Sequence, residues 1–192
     1  MVDDGSRDDT ADAAFSAGAA VIRHPVNLGQ GAALQSGIAF ALSRHADYIV
    51  TFDADGQHDI ADIERMIATL EREQADIAIG SRFLGTAQGI PPLRRVLLKA
   101  GILVTQILSG LRLTDAHNGL RVITGPAAAR LRITQNRMAH ASEIIEQIAA
   151  LKLRYVEVPV TIRYTEYSLQ KGQRTLDSLV VLKDLLIERF MR

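Results

Sequence analysis

The sequence predicts an α/β protein whose mainly parallel sheet is flanked by helices. Three observations support this fold class. Apolar, strand-like runs alternate with longer helix-like patterns along the chain. The run at residues 48–52 is short, β-branched and aromatic, as expected of a buried parallel strand. No internal repeat, low-complexity tract or shift in composition divides the chain, so we expect a single domain over residues 1–192.

The predicted elements follow one another in a regular order. Residues 1–6 have the pattern of a strand that ends at once in a loop. The strand-like runs that follow are residues 19–23, 48–53, 76–79, 119–124 and 155–162. The helical patterns are residues 10–17, 31–43, 61–73, 93–111, 140–151 and 176–191.

The composition limits the classes of function. The chain is 47% hydrophobic, which is enough for a substantial core, and its 22 basic residues balance 22 acidic ones. A net charge of zero disfavours binding to nucleic acid. Without cysteine the chain forms neither a disulfide nor a thiolate metal site. No signal peptide and no run of about 18 apolar residues is present, so a cytoplasmic location is predicted.

Two carboxylates, Asp53 and Asp55, stand one residue apart where the apolar run ends, and Gly56 follows them. Ligands bind outside the carboxyl ends of parallel strands, so these side chains are expected at the mouth of a crevice. A few oxygen ligands, with positions left open for phosphate oxygens, suit Mg²⁺ or Mn²⁺ rather than Zn²⁺. A polar turn, a helix cap and the nucleophilic Asp of certain phosphatases give the same pattern, so the pair alone does not define the chemistry.

Four further polar stretches accompany the Asp pair. Residues 3–10 precede a predicted helix, and a helix cap is an open alternative for them. Residues 27–31 end in glycines where a helix begins, a geometry that offers backbone N–H groups to a phosphate, although a simple glycine turn also fits. Residues 80–82 follow the third long strand, and residues 114–121 lead into the next one.

Taken in order, the stretches VDDGSRDDT, HPVNLGQGAAL, TFDADGQH, GSRF, TDAHNGLRV and EVPV resemble glycosyltransferase family 2. The resemblance is closest to its dolichol-phosphate mannosyltransferase-like branch and runs from Val2 to about Asp184. It implies the GT-A fold, which is Rossmann-like, and a UDP- or GDP-linked nucleotide-sugar donor. It also implies a divalent cation, Mg²⁺ or Mn²⁺, and often a polyprenyl-phosphate acceptor at the cytosolic face of a membrane.

The same resemblance assigns roles to individual positions. Asp4 matches the family residue that hydrogen-bonds the donor base, and the implied donor-binding set is Asp4, Asn27, Gly29, Gln30, Gly31 and Asp53. The implied ligands of the metal and the diphosphate are Asp53, Asp55 and Gln57. Arg82 and Asp115 are the implied catalytic pair, and the acceptor phosphate would meet Arg95, Lys99 and Arg121. Lys99 stands where the family commonly has Ser. Glu143 also falls on a family position, although an ordinary helix-surface carboxylate is equally open there.

The sequence therefore predicts metal-dependent, inverting transfer of a sugar to a polyprenyl phosphate. If the acceptor is instead a saccharide hydroxyl, Asp115 is the candidate base. A phosphatase is disfavoured because Asp115 has no partner Asp. Basic residues before the apolar stretch 101–108 fit either a helix at the membrane interface or a core helix with a solvated start.

The family resemblance also predicts that the chain is incomplete at its N-terminus. Relatives begin with a strand and a helix that this sequence lacks, so either a misplaced start or a true truncation is open. In the family's sheet that first strand lies between the strand that ends at Val2 and the strand at residues 48–53. A non-catalytic remnant that acts as a binding module is therefore a further alternative.

Overall fold

A computed structural model of the protein describes residues 1–53, 55–88, 90, 92–137 and 139–164. The strands are β1 (Val2–Asp3), β2 (Ile22–Arg23), β3 (Tyr48–Thr51), β4 (Ile77–Gln88), β5 (Arg121–Thr124) and β6 (Tyr155–Arg163). The helices are α1 (Thr10–Ser16), α2 (Gln30–Ser43), α3 (Ala61–Arg72), α4 (Pro92–Ser109), α5 (Gly125–Ala128) and α6 (His140–Ala150). The helix predicted at residues 176–191 lies outside the described residues, so the prediction of one domain over residues 1–192 stays a prediction.

The strands form two sheets. β1 and β2 pair in parallel, and the second sheet has the order β3, β5, β4, β6. β5 runs antiparallel to both of its neighbours, whereas β4 and β6 are parallel. The α/β class is confirmed, but the expectation of a mainly parallel sheet needs correction because the four-stranded sheet is mixed. Among the described residues β1 pairs with β2 alone and β3 with β5 alone. The predicted upstream strand between β1 and β3 therefore stays a prediction.

The antiparallel direction of β5 determines where the loop before this strand lies. Thr51, the last residue of β3, pairs with Arg121, the first residue of β5. The loop that leads into β5 must therefore lie at the carboxyl end of β3, where the Asp pair begins. A parallel strand in this place would begin at the opposite end of the sheet.

Helices cover both faces of the four-stranded sheet because successive strand residues point to opposite sides. On one face Ile77, Ile79 and Ile123 pack with apolar residues of α2, α4 and α6. On the other face Ala78 and Val122 pack with Met66 and Leu70 of α3. All five predicted helices within the described residues are found, with ends within two residues of the predicted ones.

Two elements differ from the sequence-based expectation. β4 continues to Gln88 rather than ending at Ile79, and its pairing with β6 is irregular between Ser81 and Thr86. A Cβ atom at Gly85 would lie 2.2 Å from Val160 O, so this glycine permits the close approach of the two strands. α5 is a short turn of helix whose first residues, Gly and Pro, gave no helical period to detect.

Candidate active site

The site lies where the loop before β5 crosses the carboxyl end of β3. Thr51 Oγ1 donates a 2.6 Å hydrogen bond to Gly119 O, which fixes the loop against the strand. Asp53 then turns its carboxylate toward that loop, and a Cβ atom at Gly119 would lie 2.1 Å from Asp53 Oδ2. Glycine at position 119 is therefore a steric requirement for the observed place of Asp53.

Two polar side chains, those of Gln30 and His58, lie against the Asp53 carboxylate. Gln30, at the first position of α2, donates from Nε2 to Asp53 Oδ1 at 2.9 Å. His58 Nε2 lies 3.7 Å from Asp53 Oδ2. His58 lowers the pKa of Asp53 against the effect of burial, and the charge of Arg121 lowers it further. The side chain of Asp53 is 37% exposed, so an ionised carboxylate faces the site opening.

Asp55 and Gln57 follow Asp53 in a tight turn. The N–H of Gln57 donates a 3.0 Å hydrogen bond to Asp55 Oδ1, and Gln57 O accepts from the N–H of Arg163. These residues supply a few oxygen donors, and no group of three His, Cys, Asp or Glu residues within the described ranges forms a complete cation cage. Such a donor set fits Mg²⁺ or Mn²⁺, which commonly bind one or two carboxylates together with substrate phosphates.

The predicted catalytic residues Arg82 and Asp115 contact each other. Arg82 donates to Asp115 Oδ2 from Nε at 2.6 Å and from its backbone N–H at 3.0 Å. Its two terminal nitrogens donate to Tyr164 OH and to His117 O. Burial lowers the pKa of Arg82, but the charges of Asp115 and Tyr164 and the hydrogen bonds to them together outweigh burial and raise the pKa. Asp115 is 1% exposed, and its Oδ1 has no hydrogen-bond partner among the described residues.

Arg121 is placed differently from the sequence-based expectation. The residue was predicted to meet the acceptor phosphate, but it is only 1% exposed. Its Nε and Nη2 find no hydrogen-bond partner within the described part of the chain. Burial lowers the pKa of Arg121, and the charges of Asp53 and Asp115 oppose this shift. Arg121 therefore acts through its charge on the carboxylates of Asp53 and Asp115. It does so from a buried position and not from the surface of the site.

Asp4 closes a loop in this structure. Its carboxylate accepts hydrogen bonds from the N–H groups of Leu28 at 3.0 Å and Gly29 at 2.7 Å, while His24 Nδ1 lies 2.7 Å from Oδ1. Asn27 donates from Nδ2 to Asp4 O. Burial raises the pKa of Asp4, but the hydrogen bonds from His24, Leu28 and Gly29 outweigh it and lower the pKa. The structure thus places Asp4 beside Asn27 and Gly29, and the contact of Asp4 with the donor base stays a prediction.

The two loop glycines differ from the expectation in one respect. The N–H of Gly29 donates to Asp4 and the N–H of Gly31 to Asn136 O at 2.8 Å, so neither is free to bind a phosphate. A Cβ atom at Gly31 would lie 1.9 Å from Gln135 O, and one at Gly29 would lie 2.2 Å from Asn136 O. These glycines are needed because the 134–137 segment packs directly against them.

Glu143 accounts for the position of that segment. Its carboxylate accepts hydrogen bonds from the N–H groups of Thr134 and Gln135 and from Thr134 Oγ1. Glu143 is therefore a loop-binding carboxylate, in place of the solvated surface residue that the sequence left open.

Arg95 and Lys99 lie on the exposed side of α4. Lys99 Nζ lies 5.9 Å from the ring centre of Phe83. Four exposed residues of α4 are apolar and are spaced to share one side of the helix: Leu93 is 64% exposed, Val96 63%, Leu103 57% and Ile107 72%. An apolar stripe that faces away from the core is unusual for a soluble surface and is typical of an interface.

None of the helices in the described ranges is both long and apolar enough to cross a bilayer.

Sequence reasoning missed several residues that line the site. His58, His117 and His140 all lie close enough to the charged residues to share electrostatic interactions with them. Tyr164 and Glu157 hold Arg82 and the loop at Asp115. His58, His117 and Glu157 stand within the TFDADGQH, TDAHNGLRV and EVPV stretches, and that is the signal that could have found them. His140 and Tyr164 stand outside these stretches and have no local signal of this kind.

The partly buried ring of His117 is expected to make the stability of the chain sensitive to mild acid. Burial lowers the pKa of His117 from 6.5 to about 4, with Asp115 opposing this shift. The unfolded chain therefore binds a proton below about pH 6.5 that the folded chain does not accept until about pH 4, so stability falls as the pH drops through this window. The full loss for this residue is on the order of 3 kcal/mol. Chemical denaturation at intervals between pH 7 and 4 measures it. We expect His117→Gln to flatten the slope, and an unchanged slope would assign the effect to other groups.

The protein thus combines a mixed α/β fold with an acidic pair at the end of a strand and a buried Arg–Asp pair beside it. The model of the family described as Glycosyl transferase family 2 matches residues 1–98. An uncharacterized protein of Methanocaldococcus jannaschii, MJ1222, is 34% identical over 98% of this chain and 79% of its own length. The chain belongs to glycosyl transferase family 2 and is a glycosyltransferase.

Two further similarities agree with this family. A UDP-N-acetylglucosamine–dolichyl-phosphate N-acetylglucosaminyltransferase of Methanococcus voltae is 31% identical over 86% of this chain and 68% of its own length. Among solved structures, glucosyl-3-phosphoglycerate synthase of Mycobacterium tuberculosis with Mn²⁺ and UDP-glucose has a TM-score of 0.64 at 18% identity. That match covers 94% of this chain and 65% of the solved one, and it confirms the GT-A fold.

Proposed function

We propose that this protein transfers a sugar from a nucleoside-diphosphate sugar to a polyprenyl phosphate, with inversion and with a divalent cation. The observation that carries the proposal is the meeting of the Asp53 carboxylate, the Asp115 loop and the buried Arg82 at the carboxyl end of β3. The similarity to a dolichyl-phosphate sugar transferase supports the acceptor class. The donor is UDP- or GDP-linked, and the name of that relative makes UDP the first to test.

The roles of the residues follow from their places. Asp53 and Asp55 would hold Mg²⁺ or Mn²⁺, and Gln57 would help to hold the same group. When bound, the cation would offset charge on the departing diphosphate. Gln30 and His58 orient Asp53, and its lowered pKa keeps it ionised at neutral pH. Asp4 keeps the loop with Asn27, Gly29 and Gly31 beside the site, where the nucleoside would bind.

The chemistry of the acceptor decides whether a base is needed. A phosphate oxygen is already ionised near pH 7, so it can attack the anomeric carbon without losing a proton to the protein. A saccharide hydroxyl would need a base, and Asp115 Oδ1 is a buried carboxylate oxygen without a hydrogen-bond partner among the described residues. Arg82 fixes the other oxygen of Asp115 and would also favour negative charge in the transition state.

The outer face of α4 favours the lipid acceptor. Arg95 and Lys99 lie beside the exposed apolar stripe, and a basic edge on an apolar helix suits a surface that carries lipid phosphate. We therefore propose peripheral contact of α4 with the cytosolic face of a membrane. Lys99 and Arg95 would meet the acceptor phosphate there, whereas Arg121 would support the site from within.

A direct assay tests the proposal. The purified chain is incubated with radiolabelled UDP- and GDP-sugars, Mn²⁺ or Mg²⁺, and either a polyprenyl phosphate or a panel of saccharides. We expect a labelled, organic-extractable product that disappears when the cation is chelated. Product with saccharides alone would favour the hydroxyl acceptor and Asp115 as base. Donor binding without turnover of any acceptor would favour the binding-module alternative.

Arg95 provides a more specific test of the acceptor side. Arg95→Ala is expected to raise KM for the polyprenyl phosphate roughly tenfold, because a guanidinium binds phosphate oxygens in a bidentate way. KM for the nucleotide sugar should change much less. Arg44→Ala is the matched control, since Arg44 is also exposed but stacks on Phe40 at the end of α2. A loss of donor affinity in calorimetry without acceptor would move Arg95 to the donor side.

A further inference from the structure

The loop that carries Asp115 is held by one face of β6. Tyr155 and Glu157 point to the same side of this strand, opposite to the partly buried Val156 and the buried Val158. Tyr155 OH donates to Arg112 O at 3.0 Å. Glu157 accepts hydrogen bonds from the N–H of Thr114 at 2.8 and 2.9 Å and from the N–H of Asp115 at 3.1 Å. Two residues of β6 therefore fix the backbone on both sides of position 113.

The hydroxyl groups around Glu157 have a defined direction. Thr114 Oγ1 donates to Glu157 Oε1 at 2.8 Å, and a hydroxyl has a single proton to donate. Ser81 Oγ, which lies 2.6 Å from Thr114 Oγ1, must then donate to Thr114. The N–H of Leu84 donates to Ser81 Oγ at 3.2 Å. A single chain of hydrogen bonds thus runs from β4 through the Asp115 loop to Glu157.

This chain ends beside the Arg82–Asp115 pair. Ser81 immediately precedes Arg82, and Arg82 binds Asp115 Oδ2 with both its backbone N–H and its guanidinium. The position of Asp115 is therefore fixed by backbone bonds to Glu157 on one side and by Arg82 on the other. If Glu157 were removed, the backbone N–H groups of Thr114 and Asp115 would lose their acceptor. The loop could then shift, and the side chain of Asp115 would shift with it.

We propose that Glu157 is a positioning residue that holds Asp115, and through it Arg82, in the geometry that sugar transfer requires. The proposal rests on the proposed function for its catalytic part. Glu157 touches neither substrate in this scheme and acts only through the loop at residues 114–115. The carboxylate suits this task because three donors converge on it. Its Oε1 atom accepts a hydrogen bond from each of the three.

Glu143 offers a matched control with the same chemistry. Its carboxylate also binds a Thr hydroxyl and two consecutive N–H groups, at Thr134 and Gln135. The segment it holds packs against Gly29 and Gly31 on the donor side. Removing either carboxylate costs a similar set of hydrogen bonds, so a general loss of stability should be similar in the two variants.

The experiment compares Glu157→Ala, Glu157→Gln and Glu143→Ala in the whole chain. Amide hydrogen exchange at Thr114 and Asp115 and the NMR signal of the Arg82 Nε–H are measured without substrate, and kcat and KM with substrate. For Glu157→Ala we expect faster exchange, a displaced Arg82 signal and a kcat lower by roughly 10- to 100-fold. Donor KM should stay within about threefold, since the lost interaction matters in the transition state. Glu157→Gln keeps an oxygen at the Oε1 position and should restore most of kcat.

The outcomes separate the two proposals. In Glu143→Ala the Arg82 signal should stay in place while donor KM rises. If Glu157→Ala leaves the Arg82 signal and the exchange at Thr114 and Asp115 unchanged, the positioning role is wrong whatever happens to activity. It is equally wrong if Glu157→Ala and Glu143→Ala lower kcat alike and Glu157→Gln gives no rescue. If the wild-type chain transfers nothing to polyprenyl phosphate while the Arg82 signal responds as expected, the acceptor assignment fails and the loop contact stands.

Discussion

Replacing Asp55 by alanine is expected to lower sugar transfer by roughly 10³-fold or more, because it removes one of the two carboxylates proposed to hold the cation. The fold should change little. Asp55 accepts a hydrogen bond from the N–H of Gln57, and the loss of such a bond costs about 1 kcal/mol. Kinetics at a series of Mn²⁺ concentrations measures the effect. The variant should require far more cation or fail to saturate.

Asp59 provides the matched control for this substitution. It lies in the same loop, where its carboxylate accepts from the N–H of Ala61 and pairs with Arg163 at 2.8 Å. Asp59→Ala thus removes a similar set of contacts without touching the Asp pair, and we expect its activity to remain near that of the wild type. Metal-dependent turnover that survives in Asp55→Ala would contradict the assignment of the cation to this turn.

Gly119→Ala is expected to lower transfer by roughly 10²-fold through geometry alone. The added Cβ atom would lie 2.1 Å from Asp53 Oδ2, a distance that no pair of such atoms tolerates. Either the carboxylate or the loop before β5 must move, and each change separates Asp53 from its present neighbours. Calorimetric titration with Mn²⁺ and a nucleoside diphosphate is the most direct measurement, because it detects the loss of binding affinity without any sugar transfer.

Gly101→Ala is the control for the loss of a glycine near the site. There the new Cβ atom would lie 3.4 Å from His117 Cε1, which is an ordinary contact, and a helical Gly→Ala change favours the helix. We expect this variant to be at least as stable as the wild type and nearly as active. Equal losses in both variants would mean that the steric argument for Gly119 is wrong.

Much of this protein follows from the sequence because its signals are local. Helical spacing predicted the five long helices of the described region to within two residues at their ends. The short apolar run before Asp53 predicted a strand, and the acidic pair after it was correctly expected at a strand end. The order of the motifs also predicted the family, which the matches to known proteins confirm.

The tertiary structure decided which of these residues meet. Arg82 and Asp115 are 33 positions apart and join only because β5 runs antiparallel between β3 and β4 and turns its leading loop to their ends. The same reversal buries Arg121, which sequence reasoning had placed at the acceptor, and it brings Gly119 against Asp53. Strand direction and register depend on which elements pack together over the whole chain. A local pattern specifies a strand, but it does not specify the neighbour or the orientation of that strand.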